Sequence, residues 1–214
     1  MTGFDLRRAL RLYAITDRTW LNGRSLEEVA EQVLAGGATF LQMREKHLTG
    51  QALKAQALAL KEVCARHGAP FVVNDSVELA LEVDADGVHV GQKDMLGRDI
   101  RALMGPDKIV GMTANTVELA RAAQAAGADY IGVGAVFGTA TKADAKFLGV
   151  PRLREICAAV DIPVVAIGGI GADNLPQLNG CGAAGAAVVS ALFNQAGPYA
   201  AAVRLRALAE EMAG

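Results

Sequence analysis

The sequence predicts an α/β chain folded as a single-domain (β/α)8 barrel of parallel strands, and three observations carry that prediction. Eight short apolar segments recur along the 214 residues, each followed by a stretch of helical length. They are rich in Val and Ile and mostly non-alternating, the pattern of parallel strands buried on both faces. Glycine-bearing tetrads stand just before several of them: Ala35-Gly36-Gly37-Ala38, Ala126-Gly127-Ala128-Asp129 and Gly182-Ala183-Ala184-Gly185, with Asp84-Ala85-Asp86-Gly87 a weaker version. A glycine there can take the left-handed conformation that ends a helix and turns the chain into the next strand. With no linker or break in composition, residues 1–214 form one domain, a TIM barrel at the small end of its usual length. A doubly wound open sheet is the alternative, but Gly132-Val133-Gly134 does not complete a dinucleotide fingerprint.

The strands fall at Leu12–Thr16, Thr39–Arg44, Phe71–Asn74, Gly87–Gly91, Ile109–Thr113, Tyr130–Ala135, Pro163–Gly168 and Gly185–Ser190. Helical patterns lie between them. Ser25-Leu26-Glu27-Glu28 is a capping box that opens the first long helix. Gly50 to Arg66 is Ala-, Leu- and Lys-rich, and Ser76 and Thr116 are N-cap candidates for later helices. Residues 1–11, with Arg7, Arg8 and Arg11, read as a short helix capping the domain, since the apolar run before Thr16-Asp17 is too short for a signal-peptide core.

Composition narrows the function classes. At 52% apolar and 21% charged residues the chain can bury a substantial core. A net charge of −2 gives no general attraction for nucleic acid or an anionic membrane, so any basic site must be local. No apolar run is long enough to span a bilayer. Cys64, Cys157 and Cys181 are widely spaced and lack a CxxC pattern, as suits small buried hydrophobes in a reducing cytoplasm. A homo-oligomer is compatible with all of this and is not specified by it.

The chemistry collects at the C-terminal ends of the strands, where a barrel of this kind builds its active site. Within Thr39-Phe40-Leu41-Gln42-Met43-Arg44-Glu45-Lys46 alternation puts Gln42, Arg44 and Lys46 on one face, spread over about 13 Å. An amide, a guanidinium and an ammonium are costly in a closed core, so this face is expected to meet water or an anionic ligand. Asn74-Asp75, Gln92-Lys93-Asp94, Thr113-Ala114-Asn115, Gly168-Gly169 and Val189-Ser190 end or follow other strands. Asp75 and Asp94 are hard oxygen donors on neighbouring strand ends with no Cys/His cluster, a set suited to Mg2+ shared with a substrate phosphate. Thr139-Ala140-Thr141-Lys142 offers hydroxyls and an ammonium to an anion, and the loops after the last two strands commonly hold a phosphate. Two anion sites point to small phosphorylated substrates, either two phosphorylated molecules or one bisphosphate. His89, within the fourth strand, reads as a packed histidine rather than a base, and no Ser/His/Asp or Cys/His set stands at the strand ends.

Gln42-Met43-Arg44-Glu45-Lys46, Val73-Asn74-Asp75, Gly87-Val88-His89-Val90-Gly91-Gln92 with Asp94, Thr139-Ala140-Thr141-Lys142, Gly168-Gly169-Ile170 and Val189-Ser190 together resemble the thiamine phosphate synthase family, in order along nearly the whole chain. The resemblance implies joining a hydroxymethylpyrimidine diphosphate to a thiazole phosphate, with diphosphate leaving first and the thiazole nitrogen capturing a pyrimidine-stabilised carbocation. It implies that Gln42, Met43, Arg44, Glu45, Lys46, Asn74, Thr113 and Lys142 hold the pyrimidine diphosphate. Among these, Arg44, Lys46, Thr113 and Lys142 would be the catalytic groups. Asp75 and Asp94 would carry Mg2+ on the leaving diphosphate, and Thr139, Ala140, Thr141, Gly169, Val189 and Ser190 would hold the thiazole phosphate.

The chain departs from the family pattern in two places. After the fifth strand the family usually reads serine-alanine-histidine-threonine, where this chain has Thr113-Ala114-Asn115-Thr116. The loop after the sixth strand often carries two prolines where this chain has Ala135 and Gly138, so freer loop motion is expected. The nearest rival is the thiazole tautomerase relative, which uses a histidine at the position of Asn115. A non-catalytic phosphate-metabolite-binding barrel is the rival from another class.

Overall fold

The computed structural model describes residues 5–138 and 147–213. Eight parallel strands close into a barrel in sequential order: β1 (Leu12–Ile15), β2 (Phe40–Met43), β3 (Phe71–Asn74), β4 (Gly87–Val90), β5 (Ile109–Thr113), β6 (Tyr130–Val133), β7 (Val164–Ile167) and β8 (Gly185–Val188). The seam is parallel too, with Leu12 opposite Ala186 and Ala14 opposite Val188. The expected barrel of parallel strands is therefore the observed one.

Around it run α1 (Leu6–Ala9), α2 (Leu26–Ala35), α3 (Gly50–His67), α4 (Val77–Glu82), α5 (Ile100–Met104), α6 (Val117–Ala125), α7 (Val150–Cys157), α8 (Ser190–Phe193) and α9 (Pro198–Ala213). The N-caps read from sequence do the expected work. The Ser25 hydroxyl accepts from Glu28 N–H while the Glu28 carboxylate takes Ser25 N–H, and Ser76 and Thr116 accept from Leu79 and Leu119. One crossover departs from the strict alternation of strands and α-helices. Between β7 and β8 the chain makes only a 3-10 turn at Leu175–Leu178, which ends at Asn179 before Gly180 and Gly182 take positive φ.

Alternation along the strands splits the core in two. One set of side chains, including Leu41, Met43, Val73, Val88, Met112, Ile131 and Val133, packs outward against the helices. The other set fills the barrel: Tyr13, Ile15, Phe40, Val72, Tyr130, Val165 and Ala187. Leu6 and Ala9 of α1 pack against this interior set, so the short N-terminal helix closes the barrel floor. The three cysteines are free, with Cys64 and Cys181 buried and Cys157 half-buried.

Candidate active site

The strand ends bring the polar residues to one rim. After β2, Arg44 extends to Asp17 at 3.8 Å, and Lys46 Nζ lies 3.3 Å from Asp75 Oδ2. Glu45 lies apart from these cations in its role. Its carboxylate is almost fully buried and receives Arg18 Nε at 2.8 Å and His47 N–H at 2.7 Å. Burial alone would raise its pKa, but the Arg18 and His47 hydrogen bonds outweigh it and hold the group below the ordinary carboxylate range. Glu45 thus ties β2 to the 3-10 turn Arg18–Trp20, and Met43 points away from the rim into the helix-facing core.

Gln42 corrects a sequence expectation. Alternation turns its face toward water or a ligand, yet the side chain is only 3% exposed. Gln42 Nε2 donates to the Tyr13 hydroxyl at 2.7 Å, which supplies the partner that makes a buried amide tolerable. The barrel interior at this level is polar, so burial there is not burial in an apolar core.

Asn74 ends β3, and Asp75 follows it in the left-handed region at φ 66, its N–H donating to the His89 carbonyl at 2.8 Å. Aspartate is among the few side chains that adopt this conformation readily. Burial raises the Asp75 carboxyl above its usual range, and repulsion from Asp94 adds to the rise, while Lys46 opposes it. Asp94 is anchored by Gly91 N–H, which donates to its Oδ2 at 2.9 Å. A half-buried Asp75 carboxylate whose ionisation is opposed by burial and by the neighbouring Asp94 forms with it a donor set that a small divalent cation would relieve.

On the far side, Thr113 ends β5 with Oγ1 3.1 Å from His89 Nε2, and Gln92 Nε2 donates to its carbonyl at 2.5 Å. The Asn115 Oδ1 accepts Gly134 N–H at 3.0 Å, so the residue standing where the family pattern has a histidine holds the exit of β6. Past β6, Val136 N–H donates to Ile167 O at 2.9 Å and Phe137 N–H to Gly168 O at 3.0 Å. These two bonds join the residues just after Ala135 to the exit of β7. Thr139, Ala140, Thr141 and Lys142 lie outside the described residues.

The turn after β7 is shaped for close approach. Gly169 has φ +67, and a Cβ on it would sit 2.1 Å from Gly138 O. Gly169, Ile170 and Gly171 line a cavity of about 370 Å3 with Ser190, Ala191, Asn194 and Gln195. Val189, just before Ser190, is half-buried and packs against the barrel interior. Sequence reasoning missed Asn174, whose Oδ1 accepts Gly171 N–H at 2.9 Å and whose Nδ2 donates to Gly169 O at 2.8 Å. An asparagine three residues after a glycine turn was the available signal. It also missed Asp17 and Arg18, which line a second cavity of about 180 Å3 with Arg44, Glu45, Lys46 and His47.

A parallel eight-stranded barrel with cations, paired carboxylates and a glycine turn on its C-terminal rim is the frame of an enzyme acting on phosphorylated small molecules. Comparison with known proteins sharpens the class. Residues 12–192 match the family model described as thiamine monophosphate synthase, and the chain belongs to that family. It is 46% identical over 184 residues to the thiamine-phosphate synthase of Ruminiclostridium cellulolyticum, covering 86% of this chain and 88% of that one. The thiamine-phosphate synthase of Coprothermobacter proteolyticus is 44% identical over 208 residues, covering 97% and 99%. Among solved structures, the thiamine phosphate pyrophosphorylase from Pyrococcus furiosus superposes with a TM-score of 0.89 at 38% identity, over 98% of this chain and 100% of that one. The chain is accordingly an enzyme, a transferase of thiamine biosynthesis. No helix among the described residues is long and apolar enough to cross a membrane.

Proposed function

We propose that the chain, a single barrel domain working in the cytoplasm, condenses 4-amino-2-methyl-5-hydroxymethylpyrimidine diphosphate with thiazole phosphate. The products are thiamine phosphate and diphosphate, with CO2 also released when the thiazole is the carboxylate. The observation that carries this reading is the rim pairing of Asp75 and Asp94 across from Lys46, with Arg44 beside them on the β2 end. Asp75 and Asp94 fit Mg2+, which when bound would supply positive charge to the leaving diphosphate.

Arg44 and Lys46 hold the diphosphate oxygens from β2, and Asn74 and Thr113 orient the pyrimidine from β3 and β5, joined by Lys142. Gln42 acts from below, through the barrel interior. As the C–O bond to the diphosphate breaks, its electron pair leaves with the diphosphate and the cation is delocalised into the aminopyrimidine ring. The thiazole nitrogen then donates its lone pair to that carbon. The thiazole phosphate sits on the Gly169 turn with Val189 and Ser190, and with Thr139, Ala140 and Thr141. No general base is required, which agrees with the absence of a base–nucleophile pair among the described rim residues.

The tautomerase reading needs a proton-transfer group on the β5 end. The Asn115 amide has no such chemistry, and its oxygen is already occupied by Gly134 N–H. The test is an assay of the purified protein with both substrates and Mg2+, following thiamine phosphate and diphosphate with an EDTA control. Equal, metal-dependent formation of both products is expected. Asp94→Ala and Arg44→Ala should each lower turnover by about 10²-fold or more, the usual loss of one charge-stabilising group. Isomerisation of a thiazole tautomer without condensation, or near-parental rates in both variants, would overturn the assignment.

A further inference from the structure

Below the rim, the barrel interior carries a polar chain whose middle members, Tyr13, Tyr130 and His89, the reaction as described does not use. Gln42 Nε2 donates to the Tyr13 hydroxyl at 2.7 Å, and the Tyr13 and Tyr130 hydroxyls are 2.8 Å apart. The Tyr130 hydroxyl is 3.0 Å from His89 Nδ1, and His89 Nε2 is 3.1 Å from Thr113 Oγ1. The four bonds run end to end through residues of β2, β1, β6, β4 and β5, from one predicted pyrimidine-binding residue to another. Tyr13 and Tyr130 are 1% and 0% exposed, so both hydroxyls lie out of contact with bulk water.

The backbone makes room for this arrangement. A Cβ on Gly111 would lie 2.3 Å from the Tyr130 hydroxyl, and one on Gly132 would lie 3.2 Å from His89 Cε1. Two inward strand positions are thus left without side chains where these two rings cross the barrel. The Tyr13 ring centroid is 4.5 Å from that of Phe40 and 5.9 Å from that of Tyr130, which fixes where the hydroxyls meet.

The chain has a direction. An amide nitrogen only donates, so the Tyr13 oxygen accepts from Gln42; either tyrosine could donate in the Tyr13–Tyr130 bond, but donation by Tyr13 is the arrangement that leaves its buried proton satisfied. Tyr130 in turn donates its hydroxyl proton in a hydrogen bond to His89 Nδ1, which must then present a lone pair. The ring proton of the neutral imidazole therefore lies on Nε2 and is donated to Thr113 Oγ1. Burial pushes both phenols well above their ordinary range, so each keeps the proton it passes on. Thr113 is left with its hydroxyl proton turned away from His89, toward the open rim.

We infer that Tyr13, Tyr130 and His89 are positioning residues for Thr113, fixing His89 as the Nε2–H tautomer and presenting the Thr113 hydroxyl as a hydrogen-bond donor to the pyrimidine substrate. The inference rests on the synthase reading for the identity of that substrate, and on this chain's own hydrogen bonds for the rest. The β-branched side chain of Thr113 restricts χ1, so a fixed donor on one side of the oxygen also turns its proton to the other. Bonds aligned head to tail polarise one another, so the chain acts as a unit.

Two measurements test it. In ligand-free protein labelled with [15N]histidine, the His89 resonances are identified by comparison with His47→Gln and His67→Gln, which remove the other two histidines in turn. An Nε2–H ring is expected; an Nδ1–H ring, or one protonated on both nitrogens, overturns the inference while leaving the synthase reading untouched. In the assay, Tyr130→Phe and Thr113→Val should each lower kcat/KM for the pyrimidine diphosphate roughly tenfold, the loss expected of one hydrogen bond, with KM for the thiazole phosphate unchanged. The double variant should be no worse than the poorer single one, because both remove one unit. Losses that multiply would show that Tyr130 does not act through Thr113 and would overturn the inference. Failure of the parent protein to form thiamine phosphate would strike the synthase reading instead, and the tautomer measurement would still decide the direction of the chain.

Discussion

At the scale of single residues, the carboxylates separate what the sequence exposes from what it hides. Asp75 and Asp94 are legible because each follows a strand end, and adjacent strands of a barrel put such ends side by side. Gln42 is not, because its partner Tyr13 lies 29 positions away on another strand and nothing local marks the pair. The raised Asp75 carboxyl has a measurable consequence. Its folded value lies above the unfolded one, so its contribution to stability is present below about pH 4 and is lost as pH rises through the raised value. An asparagine side chain in place of Asp75 would mimic the protonated form and tolerate the same left-handed backbone. The half-exposed pair with Lys46 that it removes is worth little. Asp75→Asn should therefore melt at a higher temperature than the parent at pH 8 in EDTA, with the gap closing near about pH 3.5. The same variant should lose condensation activity. A lower melting temperature at pH 8 would mean that Lys46, not Asp94, governs the carboxylate.

At the scale of elements, boundaries and caps were readable because their causes are local. Phe71–Asn74 and Ile109–Thr113 stand as expected, and the remaining strands are shorter at one or both ends. The β7–β8 crossover was not readable as a 3-10 turn, since its Leu175-Pro176-Gln177-Leu178 run has the apolar spacing of a helix start. The turn after β7 shows what its glycines are for. Gly169 combines a left-handed backbone with a Cβ position 2.1 Å from Gly138 O, and the atom in the way is backbone that cannot swing aside. Gly169→Ala should cost about 2 kcal/mol or more in urea unfolding, from the φ penalty and the displaced β6 exit together. Gly171→Ala, whose Cβ would meet only the Ala191 Cβ at 3.8 Å, should stay within about 0.5 kcal/mol of the parent. Equal costs for the two would show that the β6 exit yields freely to the β7 turn.

For the whole molecule, closure was legible and the interior was not. Eight non-alternating Val/Ile segments separated by helical stretches leave few topologies other than a sequential parallel barrel. The Tyr13–Tyr130 contact, 117 positions apart, exists only once that barrel has closed, so no window of sequence contains it. Closure itself turns on Gly185, the first residue of β8. A Cβ there would stand 1.7 Å from Leu10 O and 2.9 Å from Arg11 Cα, against the segment that leads into β1. Relief requires β8 to move away from that segment, which strains Ala186 N–H to Arg11 O and the Leu12–Ala186 register beyond it. The seam also joins the two halves of the site, since Ser190 follows β8 while Asp17 and Arg44 follow β1 and β2. Gly185→Ala, one added methyl at a fully buried backbone contact, should cost about 3 kcal/mol in urea unfolding. It should also raise KM for the thiazole phosphate more than for the pyrimidine diphosphate, because β8 carries Ser190 and the β2 and β3 ends do not move with it. An unfolding midpoint equal to the parent's would show that the β1–β8 seam gives way without cost and that closure is held elsewhere in the barrel.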